Sequence, residues 1–136
     1  MGALRVRHEA ASAAFVRRQI EADLSAHDVS PETVDTVLLV ASELVGNAVR
    51  HSTPSGDGTI DVQWDLDGDF VTVRVCDATS ELPRRREPQP HEPDGRGLSI
   101  VEAVTDSWGA EVIRGGKHVW ARIAVQYQGA RRRQMA

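Results

Sequence analysis

Between Val34 and Ala48 the apolar residues fall three and four apart, and from Thr59 to Cys76 they fall two apart. That change of period dictates a helix followed by strands. Val34, Val37, Leu38, Ala41, Leu44, Val45 and Ala48 make one continuous face of a helix. Ser30-Pro31-Glu32-Thr33 opens it with a capping hydroxyl, a proline at the first helical position and an acid in the first turn. The helix is expected to run to about His51, where the turn-rich run Ser52 to Gly58 ends it. Ile60, Val62, Trp64 and Leu66 then alternate along one strand, and Val71, Val73 and Val75 along the next. Asp67-Gly68-Asp69 between them reads as a hairpin turn.

The flanking segments extend this pattern. Residues 3–8 alternate and suit a short edge strand. Residues 9–27 read as a helix with Ala13, Val16, Ile20 and Leu24 as its stripe and Phe15 beside it. Residues 78–94 carry four prolines and no periodicity, which predicts a long loop. Gly95-Arg96-Gly97 leads into a helix from Leu98 to about Thr105, with Leu98, Val101 and Val104 expected to face inward. Residues 108–114 and 117–125 suit a closing hairpin around Gly115-Gly116. The order predicts an α+β fold, a two-layer α/β sandwich with a mixed, mostly antiparallel sheet. It does not repeat β-α-β, so a Rossmann-type sheet is not expected.

Composition excludes several classes. The chain has 136 residues, 40% hydrophobic, enough for one domain with a real core. Residues 1–126 are expected to form that domain, with 127–136 as a flexible basic tail. No apolar run reaches the length of a membrane span, and no apolar signal core follows Met1, so a cytoplasmic protein is expected. The single cysteine, Cys76, rules out an intrachain disulfide and a cysteine zinc cluster, and it suits a small buried residue. A net charge of −4 gives no basic face for direct nucleic-acid binding. Arg84-Arg85-Arg86 lies in the proline-rich loop, and Arg131-Arg132-Arg133 lies in the tail. Trp64, Trp108 and Trp120 fall in or beside strands and are read as core or sheet-face residues.

Three places carry chemistry. Glu43, Asn47, Arg50 and His51 stack on one side of the long helix. A carboxylate one turn before a carboxamide can hold a hydroxyl as a base and ligate a hard cation such as Mg²⁺; the plain alternative is a solvated polar face. Asp77, at a strand end, can accept a hydrogen bond from an exocyclic amine, or simply start a turn. Asp94-Gly95-Arg96-Gly97-Leu98 places glycines at a helix start, where free N–H groups and the positive dipole end receive phosphate. The alternative there is an ordinary loop-to-helix turn. An arginine-bearing loop before such a site suits a lid.

Taken in order, Glu43-x-x-x-Asn47, Asp77, Gly95-Arg96-Gly97-Leu98 and the closing hairpin resemble the GHKL (Bergerat-fold) ATPases, the superfamily of gyrase and the histidine kinases. Within it, "SELVGNAVRH", "DATSELP", "GRGLSIVEAVTDSWG" and "GGKHVWARI" look most like the small stand-alone anti-sigma-factor serine/threonine kinases of bacteria, over residues 10 to 126. The resemblance implies ATP and Mg²⁺ as cofactors. By it, Glu43 matches the general base, Asn47 the Mg²⁺ ligand and Asp77 the adenine-binding aspartate. Gly95, Gly97 and Leu98 match the phosphate-cradling turn, and Arg96 or Arg84, Arg85 and Arg86 could neutralise the γ-phosphate. His118 matches a position beside the adenine pocket that the family often fills with threonine. The family's first glycine box, Asp-x-Gly-x-Gly, reads Asp77-Ala-Thr-Ser-Glu81 here. The implied function is an ATP-binding anti-sigma regulator that phosphorylates a serine on an antagonist protein and sequesters a sigma factor, as a homodimer. The alternative is a catalytically weak or inactive module of the same fold that acts only by sequestration.

Overall fold

In the computed structural model, residues 2–51, 58–77, 96–113 and 116–129 are described; side chains are described for these except His51 and residues 96–98. Eight elements follow in chain order: β1 (Gly2–Arg7), α1 (Ser12–Ala26), α2 (Pro31–His51), β2 (Thr59–Leu66), β3 (Phe70–Asp77), α3 (Arg96–Val104), β4 (Ser107–Ile113) and β5 (Gly116–Ala124). The strands form one sheet in the order β1-β2-β3-β5-β4. Its four pairings are all antiparallel, so the sheet is not mixed as the element order suggested. The helices cover one face, giving the expected α+β two-layer architecture.

The core lies between the layers. Val16, Ile20 and Leu24 of α1 and Val37, Ala41, Leu44 and Val45 of α2 are buried against Ile60, Val62, Val71, Val73 and Val75. Alternation does the rest: in β3 the odd-numbered positions from Val71 to Asp77 are buried and Arg74 is exposed. Each fully buried Val, Leu or Ile contributes about 1.5–3 kcal/mol of transfer free energy, so the core is carried by α1, α2 and the three central strands.

Local chemistry sets the element ends. The Ser30 hydroxyl accepts the Thr33 backbone N–H at 3.2 Å, the expected cap of α2. α1 begins three residues later than its periodicity suggested, at Ser12. The Ser12 hydroxyl instead donates to the Arg7 carbonyl at 2.7 Å, and backbone bonds from Ser12 to Glu9 and from Ala13 to Ala10 wind residues 9–13 into a turn. The β2–β3 hairpin turns on Gly68 at φ 88°, a conformation that glycine adopts freely. Asp67 braces it by accepting the Phe70 N–H at 3.0 Å.

Two inward assignments need correction. Val104 is 37% exposed, because α3 ends there and only Val101 is buried among its described side chains. Cys76 is half-buried on the outer face of the sheet, since the alternation that buries Val75 and Asp77 turns Cys76 away. The expected loop 78–94 and the Gly115 turn residue lie outside the described residues. Chain beyond β5 still packs on the domain: Tyr127 bridges to Val29, and its hydroxyl donates to the Gly68 carbonyl at 2.6 Å.

Candidate functional site

One end of the sheet gathers the chemistry. β2 begins there, β3 ends there at Asp77, and β5 begins there beside Lys117. The helix α2 packs on β3, β5 and α3. Its polar side chains sit at different depths: Asn47 is buried at 6% exposure, Glu43 is half-buried and Arg50 is exposed. Gly46 lets the Arg50 guanidinium lie along the helix, since a Cβ at Gly46 would stand 3.0 Å from Nη1 of Arg50.

Asp77 is the last residue of β3 and is buried on the helix-facing side of the sheet. Directly across from it on β5 lies Lys117. The two side chains are 1% and 3% exposed, and Nζ of Lys117 stands 3.8 Å from Oδ2 of Asp77. Among the described residues Oδ2 accepts no hydrogen bond, and the ammonium faces it at ion-pair distance. Taking either charge out of water alone costs several kcal/mol, and facing each other they offset much of that cost. The surface so formed has a strong acceptor beside a strong donor, at a sheet end and under a helix.

His118 is not in this group. Alternation carries its side chain to the opposite face of the sheet from Lys117 and Asp77, where Nε2 lies 3.2 Å from Oε2 of Glu111. Lys117, and not His118, therefore shares a face of the sheet with Asp77. The signal was present in the sequence: Val119, Ala121 and Ile123 alternate as the buried face of β5, and counting back by two reaches Lys117.

The helix α3 starts at Arg96, close to the expected Leu98, with Gly97 in its first turn. Gly95 and Arg84, Arg85 and Arg86 lie outside the described residues, as do the side chains of Arg96, Leu98 and His51. Val101 anchors α3 in the core, and the Thr105 hydroxyl donates to the Val101 carbonyl at 2.6 Å to close the helix.

Among the described residues no group of three or more His, Cys, Asp or Glu is placed to hold a metal. The donor set suits a hard cation shared with phosphate oxygens, which needs only one or two protein oxygens, such as that of Asn47. No described helix is long and apolar enough to cross a membrane. Cys76 has its thiol pushed up above the usual range by burial, then by the nearby Asp61 and Asp77 carboxylates, so it is a poor nucleophile.

With this geometry in place, comparisons locate the chain among known proteins. The family model described as "Histidine kinase-like ATPase domain" matches residues 6–123. Among solved structures, the fold is similar to the crystal structure of the RsbU and RsbW domains of Rv1364c from Mycobacterium tuberculosis, with a TM-score of 0.68 and 22% identity. That match covers 92% of this chain and 33% of the other, so the chain spans about a third of that protein's solved length. No curated protein matches the chain.

Proposed function

The chain belongs to the histidine kinase-like ATPase domain family, and from that premise we propose that it is an ATP-binding regulator that transfers phosphate to a serine of a partner protein. The observation that carries the reading is Asp77. It is a buried carboxylate at a strand end, on a strand that packs under α2, the helix that also packs on α3.

The roles follow from the side chains. Asp77 accepts from the exocyclic amine of adenine. Asn47 offers its carboxamide oxygen to Mg²⁺, which when bound with ATP neutralises phosphate charge and polarises the γ-phosphoryl group. Glu43, one helical turn before Asn47, takes the proton of the attacking serine hydroxyl. The start of α3, with Arg96, Gly97 and Leu98, offers backbone N–H groups to phosphate. Phosphoryl transfer asks mainly for positioning and charge neutralisation, which this set supplies without a covalent intermediate.

The partners in this reading are a sigma factor, held in one nucleotide state, and an antagonist protein that carries the target serine. The chain acts as a homodimer in the cytoplasm. In the described sheet, β1 and β4 are the two edge strands, and β4 ends in the exposed Val112 and Ile113. A second reading is a module of the same fold that sequesters a partner without turnover. The absence of glycines in Asp77-Ala-Thr-Ser-Glu81 and the charge that Lys117 already gives Asp77 favour it.

Calorimetric titration of ATP with Mg²⁺ separates the two. The proposed function predicts binding on the order of micromolar, lost in Asp77→Ala. No heat at millimolar ATP sinks it and leaves sequestration.

A further inference from the structure

A lysine at position 117 is unexpected on packing grounds. The same face of β5 continues with Val119, Ala121 and Ile123, all buried and apolar. An apolar residue there would extend the core without the cost of desolvating an ammonium. Instead the chain keeps Lys117 at 2% exposure, directly opposite Asp77 on the neighbouring strand. The row continues onto β4, where Val112 is the register partner of Lys117 and is 55% exposed. The buried charge pair thus borders an apolar side chain that stands open to solvent at the sheet edge.

Side by side on one face, the pair presents an acceptor and a donor. The edge of adenine that carries its amine presents a donor, the N6 amine, next to an acceptor, the ring nitrogen N1. The two patterns are complementary. We propose that Lys117 is a specificity-determining residue of the base pocket: its ammonium donates to N1 of adenine while Asp77 accepts from N6. This rests on the ATP-binding reading above. Guanine placed the same way sets its O6 against the carboxylate and its N1–H against the ammonium, so both contacts become repulsive. A site built around buried hydrogen-bonding groups rejects a ligand that leaves them unmatched far more strongly than an apolar pocket rejects a change of shape. The pair therefore gives the pocket a reason to prefer ATP that a neutral threonine hydroxyl, donor or acceptor at will, does not.

The test uses the unmodified protein first. ATP, 1-deaza-ATP (N1 replaced by C–H) and GTP are titrated calorimetrically with Mg²⁺. Wild type is expected to bind ATP on the order of 10- to 100-fold tighter than 1-deaza-ATP, and GTP more weakly than ATP. In Lys117→Met, ATP and 1-deaza-ATP are expected to bind alike, and Lys117→Arg is expected to restore part of the difference. ATP and 1-deaza-ATP binding equally to wild type overturns the role of Lys117 and leaves the ATP site standing. GTP binding more tightly than ATP also overturns it, because Lys117 then faces O6. No ATP binding by wild type overturns both. The wild-type comparison decides the matter even if Lys117→Met does not fold, since it needs no variant.

Discussion

Asp23 shows how a single side chain ties α1 to the sheet. Its carboxylate accepts the Trp64 indole N–H at 2.7 Å, from β2. Burial alone pushes this carboxyl up, but hydrogen bonding and positive charge around it, with Trp64 first, outweigh burial and hold it below its ordinary value of 3.8. A carboxyl held low in the folded state adds stability that is complete above its unfolded pKa and is lost as pH falls through the folded one. Trp64→Phe is therefore expected to cost about 1–2 kcal/mol near neutral pH. The deficit should shrink in acid, which urea denaturation at about pH 7 and about pH 3 would register. Cys76 gives a second residue-scale outcome. With its thiol pushed up by burial and two carboxylates, it should react with iodoacetamide more slowly than a free cysteine peptide, and at the peptide's rate once unfolded. For the site, Asn47→Ala should abolish Mg·ATP binding. Glu43→Ala should spare binding and stop transfer to the partner serine; phosphorylation that persists without Glu43 would remove the base from the mechanism.

At the scale of elements, α2 carries both the core and the polar site, and its sequence shows where these demands conflict. Gly46 sits in mid-helix, where glycine costs about 1 kcal/mol against alanine. The nearest obstacle to a Cβ there is the far end of the Arg50 side chain at 3.0 Å, which can swing aside. Gly46→Ala should then raise stability by up to about 1 kcal/mol, read as a higher Tm. Its counterpart is the cap. Ser30→Ala removes the acceptor of the Thr33 N–H and also the donor to Thr33 Oγ1 at 3.0 Å, in a cluster that receives the Gln126 N–H at 3.1 Å. A loss of about 1–2 kcal/mol by chemical denaturation is expected. The helix cores and the paired strands were legible in the sequence because burial on one face imposes a period. Helix ends were less so: Glu9 to Ala11 has helical residues but forms a turn ahead of α1, where the Ser12 hydroxyl is drawn back to Arg7. Val104 shows that a period continues past the point where a partner layer stops.

On the scale of the whole molecule, the face on which a strand residue lies depends on register, and register is a property of pairs of strands. That is why Asp77 stands out from one segment, while Lys117, its neighbour across the sheet, emerges only from the β3–β5 register. The roles of Glu43 and Asn47 rest on helical stacking, which a single segment does determine. The loop before α3, expected as a lid, lies outside the described residues. Ligand binding to the folded state alone should raise apparent stability by about 2.7 kcal/mol at a hundredfold excess over Kd. A thermal shift with ATP and Mg²⁺, absent in Asp77→Ala, would report this for the whole domain.

The strand order has one further consequence, in time. β1, β2 and β3 join through the β2–β3 hairpin and the α1–α2 segment, but β5 meets β3 with 39 residues of chain between Asp77 and Lys117. Closing that loop carries more entropy than closing the hairpin. The residues that meet there are the ones proposed to read the base. A nascent or partly unfolded chain that has lost only the β3–β5 seam would keep most of its helices and its first hairpin while having no base pocket at all. Deuterium exchange along β5 would thus act as a clock for the competence of the site.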